Sequence, residues 1–509
     1  MAKPVLNALS ADVLVLGGGP AGVWAAFEAA RAGASVILAD KGYCGASGAA
    51  AASNNNIWYV PDSTQYERHF QERYHSGGGL SERAWTYAIL STTLRQLLLM
   101  GELGYRFPIT EAGERNYGTL RGPDYLRFMR NQLRRAKVRI LDHCPAHQLH
   151  LQDGRVAGAW GERLDGSRWS VSARATVIAT GGCAFLSGVL GTNVCTGEAH
   201  LAAAEAGVRF SGMEFSNQYG MAANFSTVTK GLPFHFASYY QADGEEIDTA
   251  DEEPFVAVAR ASLKGPVYAC FNKADAEVQR WLRSGQAIAF LPYDRMGIDP
   301  FRQRFELSLR LEGTVRGTGG IELQGLDCST SVPGLYAAGD AASREPIVGG
   351  RSGGGSPNAA WALATGSLAG EAAARAALAE TGRLEARPAP QEPLLGADPE
   401  FAMATIREHL WSVESNIFRT EASLNRGLAA LDAAWRSSDS AAAGGPAGRR
   451  ARAMLHLGRL AYHSALTRRD SVALHQRFDL PDEPAAAPYR LRIAGVEQLT
   501  TDAIRCPAP

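Results

Sequence analysis

The segment Ala11–Asp40 constrains the fold more than any other part of this chain. Near its start, Val13–Leu16 is a continuous apolar run, typical of a strand buried on both faces of a parallel sheet. The run leads directly into the pattern GxGxxG, formed by Gly17, Gly19 and Gly22. In dinucleotide-binding folds the first glycine permits a tight turn, the second lets backbone approach a pyrophosphate, and the third lets helix and strand pack closely.

The residues after these glycines complete the pattern. Val23–Ala32 is mostly alanine, which favours a helix, and Gly33 predicts its end. Ser35–Ala39 predicts a second strand that delivers Asp40 to the position where a carboxylate accepts hydrogen bonds from an adenosine ribose. An acid at this position favours an unphosphorylated ribose, as in NAD or FAD. The order of these elements predicts a dinucleotide site rather than a glycine-rich turn with a purely structural role.

The size and charge of the chain set further limits. Its 509 residues predict about two to four domains. The formal net charge of −1 gives no reason to expect nucleic acid or an anionic membrane surface as a partner. The N-terminus lacks the pattern of an export signal, and the apolar segment Ala359–Leu378 contains Glu371 and Arg375, which favours a core helix over a membrane span. A cytoplasmic location without membrane contact is therefore expected.

The seven cysteines argue against a metal or iron–sulfur site in this chain, because none of them belongs to a CxxC pair. Scattered cysteines in a cytosolic chain are typically small buried residues. We therefore predict no metal ligands.

Apolar periodicity and turn residues predict the other helices and strands in outline. Helical patterns cover Tyr66–Arg106, Asp124–Arg135, Glu400–Trp435 and Arg449–Thr467, and strand patterns cover Val138–Leu141, Gly154–Trp160, Ala175–Ala179 and Tyr489–Ile493. The segment Tyr219–Arg316 is richer in Tyr, Phe and acidic residues and interrupts the alternation of strands and helices, so we place an inserted domain there. The Pro-rich segment Arg387–Pro393 predicts another boundary.

Three later segments have the composition of ligand-binding loops. A second strand-to-glycine turn is formed by Ala179-Thr180-Gly181-Gly182. Thr196 is positioned to cap a helix that runs to Ala206, whose first amides could face a flavin or a substrate anion. Leu335–Ala338 predicts a strand followed by a turn that places Asp340 to bind a ribityl hydroxyl.

These motifs, in this order, resemble the succinate dehydrogenase/fumarate reductase flavoprotein superfamily, which includes L-aspartate oxidase and the flavoprotein subunit of adenylylsulfate reductase. The resemblance covers nearly the whole chain. Its motifs are GGGPAG at 17–22, SGAAAAS at 47–53, ATGG at 179–182, TGEAH at 196–200, MEF at 213–215, KGPVY at 264–268, GTGGI at 317–321, GLYAAGD at 334–340, NIFRTE at 416–421 and RRDSVALHQRFDLP at 468–481.

The resemblance implies an α/β fold with a two-dinucleotide-binding-type FAD domain, an inserted α+β capping domain and a C-terminal helical domain. The expected boundaries are 1–218 and 317–386 for the two parts of the FAD-binding domain, 219–316 for the capping (substrate) domain, and 387–509 for the C-terminal helical domain and tail.

The cofactor that the resemblance implies is FAD, with hydride transfer between a substrate carbon and flavin N5. Family members with covalent flavin have a His directly after the residue equivalent to Ser47, and here Gly48 occupies that place, so noncovalent FAD is expected. The residues expected to contact FAD are Gly17, Gly19, Pro20, Ala21, Gly22, Asp40, Lys41, Ser47, Gly48, Ala146, Thr180, Gly181, Asp340, Ser356 and Asn358.

On the substrate side, the resemblance singles out Arg351. This residue stands in GGRSGGGS at the place of the Arg in the family's GANRLGSNS motif, where a guanidinium would bind a carboxylate through two hydrogen bonds. The other catalytic candidates are Arg316 and Lys264, which could supply positive charge near the flavin or pair with surface acids, and Tyr219, which could donate a proton or be a packed core residue.

Further aromatic, His and acidic residues have the same two interpretations. His235, Tyr239 and Tyr240 could line the pocket or donate protons, but each is better explained as a packed core residue or a surface group of the capping domain. Trp58 and Tyr59 could stack on an aromatic substrate, but core packing explains them better. Glu214 in the MEF motif is expected to be a structural hydrogen-bonding residue.

The dicarboxylate-binding pattern of the family is incomplete in this chain. Tyr219 replaces the His beyond the MEFVQF segment, Val315–Thr318 lacks the second His, and Glu253-Pro254 lies where the proton-delivering Arg is expected. SGAAAAS and KGPVY resemble the adenylylsulfate reductase branch, but the MEN-type segment expected after TGEAH is missing. These departures favour a specialised substrate.

The sequence therefore predicts an FAD-dependent oxidoreductase, either an oxidase or a dehydrogenase/reductase, for a small carboxylate- or amino-acid-like substrate of a specialised metabolic pathway. The alternative is a flavoprotein subunit of a heteromeric electron-transfer complex, which requires an iron–sulfur partner protein. A non-catalytic FAD-binding protein is a third interpretation, which the retained Arg351 argues against. The oligomeric state is left open.

Overall fold

The computed structural model of the protein describes residues 8–110, 112–229, 231–250, 253–352, 354–437, 444–481 and 487–506. The elements of the first part of the chain are β1 (Leu9–Leu16), α1 (Pro20–Arg31), β2 (Val36–Ala39), β3 (Asn54–Asn56), α2 (Tyr66–Ser76), α3 (Arg83–Glu102), β4 (Thr119–Arg121), α4 (Gly122–Arg135), β5 (Arg139–Leu141), β6 (Gln148–Gln152), β7 (Arg155–Glu162), β8 (Arg168–Ile178), α5 (Glu198–Glu205) and β9 (Phe210–Ser211).

Three further groups of elements follow. The first contains β10 (Tyr219–Ala223), β11 (Ser238–Tyr240), α6 (Pro254–Ser262), β12 (Tyr268–Cys270), α7 (Ala276–Gly285), α8 (Ala287–Met296) and β13 (Phe305–Leu311). The second contains β14 (Gly320–Ile321), β15 (Leu335–Ala337), α9 (Glu345–Val348) and α10 (Ser356–Ala379). The third contains α11 (Pro399–His409), α12 (Val413–Ile417), α13 (Glu421–Arg436), α14 (Pro446–Thr467), β16 (Tyr489–Ala494) and β17 (Thr500–Arg505).

The main sheet has seven strands in the order β5-β2-β1-β8-β7-β6, with β15 paired to the carboxyl end of β8. Strand β1 runs parallel to both β2 and β8, so that Val13 lies opposite Val36 on one side and Ala175 on the other. Residues Val13–Leu16 are buried on both faces, which confirms the prediction made from their continuous apolar run. The sheet therefore brings the carboxyl ends of β1, β2, β8 and β15 to one edge.

Helices α1 and α10 touch at backbone distance against this sheet. A Cβ on Gly366 would lie 2.3 Å from the Ala21 carbonyl oxygen, and one on Gly370 would lie 2.3 Å from the Ala25 carbonyl oxygen. Since the residue numbers of the contacting positions rise together in α1 and α10, the two helices run parallel. The first turns of α10 extend past the start of α1, where they face the edge formed by the strand ends.

The inserted segment has a sheet and a core of its own. Its four antiparallel strands are ordered β10-β13-β12-β11. Phe271 is in edge-on contact with Phe234, Phe305 and Tyr293, at ring-centroid distances of 5.2, 5.1 and 5.9 Å. The aromatic residues that distinguish this segment in the sequence thus form its hydrophobic core.

Two long helices predicted from periodicity are divided in the structure. The predicted helix Tyr66–Arg106 is α2 and α3, separated at Gly77–Gly79, where Gly78 and Gly79 have φ values of +76° and +75°. A helix does not continue through two left-handed residues. The predicted helix Glu400–Trp435 is likewise α11, α12 and α13. Asp124–Arg135, Arg449–Thr467 and Ala359–Leu378 are confirmed as parts of single helices.

The tail returns to the first part of the chain. Strand β16 was predicted, but its hairpin partner β17 was not. Strand β16 pairs with β9, which pairs with β14, so this hairpin completes a four-stranded sheet with two strands from earlier in the chain. Within the described ranges no helix is both long and apolar enough to cross a membrane.

Candidate functional site

The turn between β1 and α1 has the geometry that its glycines predict. Gly17 has a φ of +103°, and a Cβ on Gly22 would lie 1.8 Å from the Gly17 carbonyl oxygen, so neither position has room for a side chain. A Cβ on Gly19 would meet no atom within 4 Å, since this residue faces a large cavity. Helix α1 begins here without a side-chain cap, so its first amide groups are available to an anion.

Asp40 follows β2 at the same edge and braces the turn. Its Oδ2 accepts a hydrogen bond from Gly18 N at 2.6 Å, while its Oδ1 accepts from Gly42 N and from the Ser47 hydroxyl, both at 2.8 Å. Each carboxylate oxygen can accept about two hydrogen bonds. Oδ2 therefore keeps room for one more donor, such as a ribose hydroxyl.

Lys41 is held by α5. Its Nζ donates to Glu198 Oε1 and to the Thr196 hydroxyl, each at 2.6 Å, and the Thr196 hydroxyl donates to Glu198 Oε2 at 2.7 Å. Burial acts to raise the pKa of Glu198, but the Lys41 ammonium and these hydrogen bonds hold it below its usual value. The prediction that Thr196 caps α5 is wrong, because Gly197, with a φ of +83°, occupies the cap position and the Thr196 side chain is engaged with Lys41 and Glu198.

The cavity has a volume of about 1550 Å³, above the roughly 300–1,000 Å³ of ordinary small-molecule pockets, so it has room for a dinucleotide and a second ligand. The cavity is lined by residues at the edge of the main sheet, by residues of α10 and by residues of the segment 219–316. All of the predicted FAD contacts lie on its wall except Gly22, which packs behind Gly17, and Ser356, the first residue of α10.

Three buried polar atoms of residues on this wall lack a hydrogen-bond partner among the described residues. They are the Thr180 hydroxyl and the side-chain oxygens of Asn217 and Asn358. The amide nitrogen of Asn358 donates to Val315 O at 3.3 Å. An unsatisfied buried polar atom costs about 1–3 kcal/mol. Together with the open face of Gly19 and the free capacity of Asp40, these atoms fit a polar ligand that fills the cavity, and FAD has donors and acceptors along its whole length.

Asp340 lies on the wall after β15, held by a residue that no sequence motif singled out. The fully buried Arg344 donates to Asp340 Oδ1 at 2.6 Å and to Thr314 O at 2.9 Å. Burial raises the pKa of Asp340, while the charges of Arg344 and Arg316 act to lower it. Arg344 thus fixes both Asp340 and the segment after β13. The sequence signal for its pairing with Asp340 is their spacing of four residues.

The predicted substrate-side residues fall into different environments. Arg351 lines the cavity, and within the described chain its guanidinium has no hydrogen bond or ion pair. Arg316 also lines it, but its Nε lies 3.5 Å from Glu312 Oε1, so its charge is partly neutralised. Lys264 is exposed after α6, outside the cavity wall that the described residues form.

Tyr219 is fully buried and its hydroxyl is engaged by the C-terminal helices. It donates to Leu410 O at 2.8 Å and lies 3.2 Å from Ser412 O, and Asn416 Nδ2 lies 3.4 Å away. Burial raises the pKa of this phenol far above its usual value. These contacts are those of a residue that joins β10 to the helical segment.

The remaining aromatic and His candidates are mostly packed. The Tyr239 hydroxyl donates to Phe234 O at 2.9 Å, Tyr240 lies under Arg304, and Tyr59 stacks on Tyr117. His235 is exposed and lines the cavity from the cap.

The two acidic residues named in the sequence analysis, Glu253 and Glu214, each accept a hydrogen bond within the protein. Glu253 lines the cavity and caps α6 by accepting from Phe255 N at 2.9 Å. Glu214 is buried and accepts from Arg468 Nε at 2.8 Å, a structural contact of the expected kind.

Comparison with known proteins identifies the cofactor domain. Residues 12–219 match the family model described as FAD binding domain. These residues contain the turn after β1, Asp40 and Thr180. No curated protein matches the sequence significantly.

Several solved structures are similar over nearly the full length. Sdh1 of Mycobacterium smegmatis in complex with UQ1 is 21% identical, with 98% of this chain and 95% of that chain covered and a TM-score of 0.79. The quinol fumarate reductase FrdA of E. coli is 18% identical, with coverages of 98% and 97% and a TM-score of 0.79. Adenylylsulfate reductase of Archaeoglobus fulgidus is 16% identical, with coverages of 100% and 99% and a TM-score of 0.77.

At these identities the structures establish the fold, and the family model establishes the FAD-binding domain. The resemblance inferred from the motifs and the predicted fold class are both confirmed. The chain therefore carries an FAD-binding domain at residues 12–219 and has the fold of the succinate dehydrogenase, fumarate reductase and adenylylsulfate reductase flavoproteins.

Proposed function

We propose that the protein oxidises or reduces a small carboxylate- or amino-acid-like substrate whose carboxylate is bound by Arg351. The observation that carries this proposal is that Arg351 lines the cavity and that its guanidinium has no ionic partner among the described residues. Bound FAD supplies hydride transfer at the flavin ring. The chain's own contribution is to anchor the substrate's acidic group and to exclude water.

The electrostatics of the cavity support an anionic ligand. Arg351 and Arg316 line it, and only Arg316 has a carboxylate within 4 Å among the described residues. A guanidinium binds a carboxylate through two parallel hydrogen bonds, which fixes orientation as well as position. The substrate's reacting carbon would then be the one next to the bound carboxylate.

The cap supports a water-excluding role. His235, Glu253 and Phe255 belong to the segment 219–316 and lie on the cavity wall. A second domain over the mouth of such a site holds the substrate and removes solvent, which strengthens electrostatic contacts inside. We assign 219–316 as the capping domain on this basis.

FAD is proposed to be bound noncovalently. Gly48 replaces the His that forms the covalent link in related proteins, and it lines the cavity with a φ of +94°. Cys144 and Cys195 also line the cavity, but burial raises their thiol pKa values to about 11 and about 12, so little reactive thiolate is present at neutral pH. Acid precipitation should leave the flavin in solution; flavin that stays with the precipitate would contradict this assignment.

Turnover by the isolated holoprotein tests the reaction class. With a carboxylate substrate, the purified chain should reduce oxygen or a small dye without any added protein. A chain whose flavin is reduced by the substrate but is reoxidised only after addition of an iron–sulfur protein would instead be a subunit of an electron-transfer complex.

A further inference from the structure

The end of α2 is in backbone contact with the segment that carries Arg351. Gly350 N donates to Gly77 O at 3.0 Å, and a Cβ on Gly349 would lie 2.2 Å from that oxygen. A Cβ on Gly77 would in turn lie 2.4 Å from Val348 O. Glycine at 77 and 349 is therefore a condition for this close approach.

This contact brings a second arginine to the same wall of the cavity. Arg73 lies one helical turn before Gly77, whose N–H donates to Arg73 O at 2.8 Å, and Arg351 directly follows Gly350. Both arginine side chains line the cavity. The Arg73 guanidinium lies over the ring of Trp58, 5.5 Å from its centroid, which orients it by a cation–π contact.

Neither charge is neutralised by a carboxylate among the described residues. Glu72, beside Arg73, is directed at Arg68 and His69 instead, at 3.6 Å from each. Burial lowers the pKa of Arg73, and the positive charge of Arg351 lowers it further. Two guanidinium groups that lie close together without an anion repel each other, and this repulsion becomes attraction when one anion lies between them.

We propose that Arg73 and Arg351 together bind a single carboxylate of the substrate, so that Arg73 is a second substrate-binding residue. The inference rests on the proposed function, in which Arg351 anchors that carboxylate. Two arginine forks can saturate the lone pairs of one carboxylate, which selects for acids over neutral or amide analogues. Arg316, already close to Glu312, is left outside this pair.

Acetate binding to the FAD-loaded protein tests the pair. Sodium acetate is titrated at constant ionic strength while the absorbance of the bound flavin is followed. Wild-type protein should bind acetate saturably, and Arg73→Gln and Arg351→Gln should each raise the dissociation constant roughly tenfold to a hundredfold. Because both residues hold one anion, the double variant should lose less than the product of the two single losses.

Two control variants separate ligand binding from folding. Arg68→Gln removes an exposed arginine from the same helix and should leave acetate affinity unchanged. Arg73→Lys keeps the charge but loses the fork, so its affinity should lie between those of wild type and Arg73→Gln. FAD content and the thermal midpoint should match wild type in all of these variants.

The outcomes distinguish the two proposals. If Arg351→Gln binds acetate weakly but Arg73→Gln binds it like wild type, the proposed role of Arg73 is overturned and the proposed function is not. Loss of FAD from Arg73→Gln overturns that role as well, because Arg73 would then hold the cofactor. Wild-type binding in Arg351→Gln, or no saturable acetate binding to the wild-type protein, overturns the anchor on which the proposed function depends.

Discussion

Lys41 and Glu198, 157 residues apart in the chain, form an ion pair of 2.6 Å beside the FAD-binding turn. Glu198 is nearly fully buried, whereas the Lys41 side chain is 29% exposed. The pair joins the end of β2 to the start of α5, and thus connects the first strand pair of the FAD-binding domain to the loop that follows β8.

Glu198→Gln should destabilise the protein, because it leaves a partly buried ammonium without its counter-charge. Removing one partner of a fully buried pair costs about 3–5 kcal/mol, and the partial exposure of Lys41 reduces the expected loss to about 2 kcal/mol. Urea unfolding at neutral pH measures it. Glu421→Gln, which breaks an exposed pair with Arg469, is the control and should cost less than about 1 kcal/mol.

The loss of stability in Glu198→Gln should depend on pH. The folded-state pKa of Glu198 lies below the usual glutamate value of 4.5, so its stabilising contribution is complete above that pH and is lost as the pH falls through the folded-state pKa. The stability difference between wild type and Glu198→Gln should therefore shrink in acid. A difference that stays constant down to pH 3 would contradict the ionic role of the pair.

The ionised carboxylate of Glu345 should destabilise the folded protein, in contrast to that of Glu198. Glu345 is fully buried, its two carboxyl oxygens have no hydrogen-bond partner among the described residues, and Arg490 Nε lies 3.9 Å away. Burial raises the pKa of Glu345 to about 7, above the usual glutamate value of 4.5, so the folded protein binds the proton more tightly than the unfolded chain. Stability is then lost as the pH rises from about 4.5 to about 7.

Glu345→Gln should accordingly stabilise the protein at pH 8, by about 1–3 kcal/mol, and have little effect at pH 4. Thermal or urea unfolding at both pH values checks this. A stabilisation of equal size at both pH values would show that the carboxylate charge is not the cause.

Gly22→Ala should yield protein that does not retain FAD. The new Cβ would lie 1.8 Å from the Gly17 carbonyl oxygen, so the turn between β1 and α1 has to move. Gly265→Ala is the matched control, since a Cβ there meets nothing within 4 Å. The ratio of flavin to protein after purification is the measurement; full occupancy in Gly22→Ala would contradict the role of this turn.

The local parts of this site could be predicted from sequence. Gly17, Gly19, Gly22 and Asp40 lie within one strand–helix–strand unit, so their roles follow from spacing alone. Strand-and-turn patterns also indicated Thr180 and Asp340, because each lies within three residues of the end of a strand at the same sheet edge.

Partners from distant segments could not be predicted in this way. The pairing of Lys41 with Glu198 and the contact of Arg344 with Thr314 O depend on which loops the sheet brings together and on which charges are buried. Arg73 reaches Arg351 only through the contact of Gly77 with Gly350, which no periodicity reveals. The three glycines at Gly77–Gly79 are the sequence signal for the break between α2 and α3, which the predicted single helix Tyr66–Arg106 does not contain.

Arg351→Gln should lower kcat/KM for a carboxylate substrate about 10- to 100-fold, because a hydrogen bond to a charged group contributes about 1.5–3 kcal/mol. FAD content should not change. Arg302→Gln removes an arginine that is 86% exposed on the cap and should leave the kinetics unaltered. Equal kinetics in Arg351→Gln and wild type would remove Arg351 from the substrate site.

The most direct test of the central claim is the anaerobic reaction of the holoprotein with paired compounds, each a carboxylic or amino acid and its methyl ester. Loss of flavin absorbance is followed for the oxidised protein, and its return is followed for dithionite-reduced protein with unsaturated acids. The account predicts that at least one acid exchanges electrons with the flavin far faster than its ester does. Esters that react as fast as their acids, or no acid that reacts in either direction, would contradict an oxidoreductase that anchors its substrate by a carboxylate.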